Sequence, residues 1–102
     1  MRSEYNYLHR NMGIAFKHLG DVDGALKCNK EALTVASKSN LLVASKMACD
    51  NIAELFTLKG EPINAERYAK RASEIEKERL EETCLIGIMI RILILDLFLI
   101  IA

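Results

Sequence analysis

The sequence predicts an all-α fold built from antiparallel helix hairpins, two units followed by a C-terminal hydrophobic helix. Three observations carry this. The stretch NMGIAFKHLG at 11–20 returns as NIAELFTLKG at 51–60, 40 residues later. Laying 11–33 over 51–73 gives identities at Asn11/Asn51, Phe16/Phe56, Gly20/Gly60, Ala25/Ala65, Lys30/Lys70 and Ala32/Ala72. The shared positions are mostly small or apolar and recur at helical separations, which suits helix faces that approach closely. A repeat of this size points to stacked helix pairs.

The elements follow in order. The first helix is expected from about Glu4 to Leu19 and the second from Val22 to Lys38. Gly20 supplies the turn, and Asp21 or Asp23 caps the second helix and complements its dipole. Ser39-Asn40 is a polar break. The third helix is expected from Leu42 to Lys59 and the fourth from Pro62 to Leu80, with Pro62 in a first turn where no N–H is needed. The units span about 5–39 and 45–79 within a repeat domain at 1–80, and 81–102 is a separate hydrophobic segment. Ala25, Ala32, Ala65 and Ala72 let helix backbones lie close, where a larger side chain would wedge them apart. The apolar positions hold no heptad, which disfavours a coiled coil. An unrelated pair of hairpins with an accidental period is the remaining alternative.

Composition narrows the function classes. Hydrophobic residues are 51% and charged residues 27% of the 102, an ordinary globular balance. A formal net charge of zero gives no electrostatic reason to expect nucleic acid as a partner. Cys28, Cys49 and Cys84 are odd in number and widely spaced, so free, mostly buried thiols in a reducing compartment are expected. MRSEYNYLHR at the start has no apolar stretch, so a secretory signal is not expected and the chain is read as cytoplasmic. His9 and His18 have no partnered Ser or Cys signature, and neither a phosphate loop nor HExxH occurs. The expectation is no enzyme, with no catalytic residues, no metal and no cofactor. In KERLEE at 77–82, Lys77 is placed to pair with Glu81, while Glu78 repels Glu82.

The run Asn11-Met12-Gly13, Phe16, Gly20, Ala25, Ala32-Leu33, with its second copy Asn51-Ile52-Ala53, Phe56, Gly60, Ala65, Ala72-Ser73, resembles the tetratricopeptide repeat. The family's first-helix tryptophan is replaced by His9 and Cys49, its terminal proline by Ser37 and Lys77. Its second-helix aromatic is replaced by Asn29 and Ala69, with Tyr68 one place earlier. The usual repeat has 34 residues; the longer period here is similar to the variant in kinesin light chains and Leu-Gly-Asn-repeat polarity adaptors. The resemblance covers about residues 5–80. It implies a concave groove lined by the first helix of each pair, where a protein or peptide partner binds. The facing residues would be Tyr7, Arg10, Asn11, Ile14, Lys17 and His18, then Met47, Asp50, Asn51, Glu54, Thr57 and Leu58. In the family, the amide at Asn11 and Asn51 often pairs with both groups of a bound backbone; the other reading is that it bonds a neighbouring helix. Arg10 and Lys17 against Asp50 and Glu54 suit a peptide of mixed charge, and ordinary solvated charges remain the alternative.

Residues 85–102, LIGIMIRILILDLFLIIA, break the composition: thirteen of eighteen are Leu, Ile or Phe. Eighteen is near the minimum for a spanning helix. The apolar residues contribute roughly −4 to −8 kcal/mol to insertion and Arg91 with Asp96 cost roughly +5 to +7, so the sum is near zero. Three readings stand open: a helix docked on the second unit's apolar edge, a membrane anchor, or the product of a truncated or misread coding region. Ile at every second place from 86 to 94 is a strand-like period that fits the last. A third repeat is due near residue 86, yet Leu93 stands at its small site and Asp96 at its aromatic one. Exposed, this surface would drive self-association.

Overall fold

The computed structural model describes the backbone of residues 2–102, with the side chains of residues 2–7 and residue 10 outside the description. The described chain is all-helical. Helix α1 runs Arg2–His18, α2 Val22–Lys38, α3 Leu42–Lys59 and α4 Pro62–Ile101. Consecutive helices pack side by side, so α3 lies between α2 and α4.

The three corners share one construction. Gly20, Asn40 and Gly60 adopt left-handed backbone with φ of 80°, 55° and 83°. The residue after each donates its N–H back into the preceding helix: Asp21 to Phe16 O, Leu41 to Ala36 O and Glu61 to Phe56 O, each at 2.9 Å. The left-handed residue itself donates to Lys17 O, Ser37 O and Thr57 O at 3.0–3.2 Å. These paired bonds satisfy the carbonyls that a helix end leaves open, and they need a residue tolerant of positive φ. The corners fall every 20 residues, half the sequence period. Asp21 is the cap of α2, its carboxylate accepting from Gly24 N at 2.9 Å. Glu61, its counterpart, makes no side-chain cap, and Pro62 opens α4 instead.

The core joins α2, α3 and α4. Ala25, Leu26 and Leu33 meet Ala48, Cys49, Ile52, Leu55 and Phe56, then Ala65 and Ala72, with Phe16, Val22, Tyr68 and Ile75 packed around them. All four repeat alanines are buried, at 0%, 1%, 8% and 3% exposure for Ala25, Ala32, Ala65 and Ala72. Phe56 stacks on Tyr68 with ring centroids 5.7 Å apart. Tyr68 thus supplies an aromatic to this layer, one position before the place the repeat pattern indicates.

Three expectations need correction. The fourth helix does not stop at Leu80; it continues without a break to Ile101, 40 residues in all. The segment from 85 is not docked, because its apolar side chains from Leu85 to Ile101 stand half or more exposed. A fourth corner is due at residue 80, but Leu80-Glu81-Glu82 offers no residue suited to positive φ, so the chain cannot turn back. The alternating isoleucines form helix rather than strand, since they propagate a helix already nucleated upstream. A helix of this length rises about 60 Å and sets the 65 Å long dimension of the molecule. The ion pair of the charged segment is Arg79 with Glu76, through bonds of 2.6 and 3.1 Å, rather than Lys77 with Glu81.

Candidate functional site

Helices α1 and α3 are both first helices of their hairpins, with α2 behind them. Between them lies a cavity of about 110 Å³ lined by Gly13, Ile14, Lys17, His18, Asn29, Asn51, Glu54 and Leu55. Four residues expected at a binding groove, Ile14, Lys17, Asn51 and Glu54, therefore converge, and His18 joins them. The volume matches a single side chain, well below the roughly 300–1,000 Å³ of small-molecule pockets.

The polar groups here are largely spent on one another. Lys17 forms an ion pair with Glu54 across the cavity, linking α1 to α3. Both are well exposed, so the pair contributes about 0–1 kcal/mol. Asn51 Nδ2 donates to Asn29 Oδ1 at 3.4 Å, a long bond, leaving its oxygen and a second N–H available. Asn29 is buried at 4% exposure and donates to Ala25 O at 2.9 Å.

Gly13 explains why Asn29 fits. A Cβ on Gly13 would lie 2.6 Å from Asn29 Nδ2. The missing side chain on α1 makes room for the amide from α2, and the amide then reaches Asn51 on α3. The second hairpin carries Ala53 and Ala69 at the matching positions. One pair is glycine with asparagine, the other alanine with alanine, so a gain in volume on one helix accompanies a loss on the next. Asn29 was missed as a site residue by sequence reasoning, and this paired exchange was the available signal.

The other expected residues lie elsewhere. Asn11 is exposed and forms no side-chain hydrogen bond among the described residues. Asp50 is held by Lys46 at 2.9 Å, a hydrogen bond that raises the lysine pKa. Met47 is half-buried, and Thr57 and Leu58 are exposed outside the cavity, Thr57 Oγ1 donating to Ala53 O at 3.0 Å. Tyr7 and Arg10 fall outside the described side chains. Lys59 bridges Asp23 at 2.9 Å, which raises its pKa and ties the end of α3 to the start of α2. His9 Nδ1 lies 3.2 Å from Glu31 Oε2, off hydrogen-bond alignment. Among the described residues no group of His, Cys, Asp and Glu is gathered as a metal site. Compared with protein-family models, curated proteins and solved structures, the chain matches none.

Proposed function

We propose that this chain is a non-catalytic scaffold of the tetratricopeptide-repeat type, holding a peptide or helix of a partner protein along α1 and α3. The observation that carries the reading is the α1–α3 cavity, where Ile14, Lys17, Asn51 and Glu54 meet. Its volume suits one anchoring side chain of a peptide. The repeated corners support the family assignment, because they set two hairpins in the same attitude with their first helices adjacent. Asn11 and the unspent half of Asn51 offer donors and acceptors for a peptide backbone. Lys17 and Glu54 separate to meet opposite charges on the partner, which adds specificity more than affinity. Affinity purification with the full chain, compared with Asn11→Ala/Asn51→Ala, tests this. The double variant should lose its partners while keeping its helical circular dichroism; equal recovery rejects the amide role.

A second reading is favoured by the exposed end of α4. The chain is then a tail-anchored adaptor whose hairpins face the cytoplasm. α4 contains a window long and apolar enough to cross a membrane, none of it buried. Residues 85–101 rise about 25 Å, near the hydrocarbon thickness of a thin bilayer. Carbonate extraction decides it: retention in the pellet supports the anchor, and release into the supernatant removes it.

A further inference from the structure

Between α2 and α4, away from the α1–α3 cavity, lies a cavity of about 430 Å³ lined by Lys30, Leu33, Thr34, Ser37, Lys38, Tyr68 and Arg71. Its chemistry is one-sided. Three cations and three hydroxyls face it, and no carboxylate does, although the chain carries equal numbers of acids and bases. Lys17, Lys46, Lys59 and Arg79 are each neutralised by a neighbouring carboxylate. Lys30, Lys38 and Arg71 form no ion pair with a described residue. Packing holds the walls in place. Lys30 Nζ sits 5.3 Å from the centroid of the Phe56 ring, which itself stacks on Tyr68.

We infer that this cavity binds a phosphate monoester, carried on a group about the size of a sugar or inositol ring. Arg71 presents a planar fork suited to phosphate oxygens, and Lys30 and Lys38 add point charges. The hydroxyls of Ser37, Thr34 and Tyr68 are placed for ester oxygens or ring hydroxyls; Thr34 already donates to Lys30 O at 3.0 Å and so acts here as an acceptor. The volume lies within the range of small-ligand pockets. Three cations with no acid among them make a local positive field that a neutral ligand would leave uncompensated.

The same chemistry occurs on a free inositol phosphate and on a phosphoinositide headgroup, and the experiment separates them. Full-length protein in detergent is titrated calorimetrically with inositol 1,4-bisphosphate. Co-flotation is measured with phosphatidylcholine vesicles with and without phosphatidylinositol 4-phosphate. Lys38→Gln/Arg71→Gln is compared with Arg67→Gln/Lys70→Gln, which removes equal charge from the same helical region. A free-ligand source gives calorimetric binding that weakens at least tenfold in the first variant and is unchanged in the second. A lipid source gives extra flotation with the phosphoinositide that only the first variant loses. Absence of binding in both assays, or equal losses in the two variants, overturns the assignment.

Discussion

Gly13 and Asn29 set how α1 seats on α2, because one lacks the atoms that the other fills. Gly13→Ala pushes a methyl to 2.6 Å from the Asn29 amide and should destabilise the fold by about 1–3 kcal/mol. Adding Asn29→Ala recreates the Ala53/Ala69 pair and should recover part of the loss. A double-mutant cycle in urea reads the coupling, and strictly additive effects would refute this account of the contact. The cysteines make a second residue-scale case. Burial raises the Cys28 and Cys49 thiol pKa values above the ordinary range, whereas Cys84 is exposed. A thiol whose folded pKa is raised stabilises the fold fully below its unfolded pKa. That stability declines as pH rises toward the folded value. Unfolding free energy should therefore fall on the alkaline side of about pH 9. With a maleimide at neutral pH, Cys84 should be labelled first and the other two only after denaturation. Mass spectrometry showing Cys28 or Cys49 modified as fast as Cys84 would contradict their burial.

The boundaries of α2 and α3 and the start of α4 were legible because the chain punctuates them. Gly20, Asn40 and Gly60 are residues that tolerate positive φ, and they stand where the apolar pattern pauses. The far end of α4 was not legible for a physical reason. The change from charged to apolar residues at 85 marks a change of environment, and a helix needs none to continue; only a breaker would end it, and EETCL contains none. The candidate site was legible in part. Ile14, Lys17, Asn51 and Glu54 could be placed from repeat position alone, whereas the Lys17–Glu54 pair and the role of Asn29 depend on how the hairpins nest. If the corners act as described, Gly20→Ala and Gly60→Ala should each cost about 1–2 kcal/mol, and Asn40→Gly should be neutral or stabilising. Thermal denaturation checks this; a destabilising Asn40→Gly would mean that the Asn40 side chain, rather than its backbone angle, holds that corner.

At the scale of the molecule, two parts with opposite solvent preferences share one helix. The hairpins bury their apolar faces against each other, while residues 85–101 hold theirs open. Water disfavours so large a continuous apolar surface, so in the absence of detergent or lipid the full chain should self-associate. Introducing charge with Leu93→Glu/Leu97→Glu should shift it toward monomer in sedimentation. An unchanged distribution would assign self-association to the hairpins. The central claim is that the inner face of α1 and α3 is where a partner sits. Site-specific photo-crosslinking measures that most directly, with benzoylphenylalanine placed in the full chain at Ile14 on the inner face or at exposed Glu66 on α4. The account predicts discrete partner adducts from position 14 and none from position 66. Adducts from position 66 alone, or the same adducts from both, would contradict it.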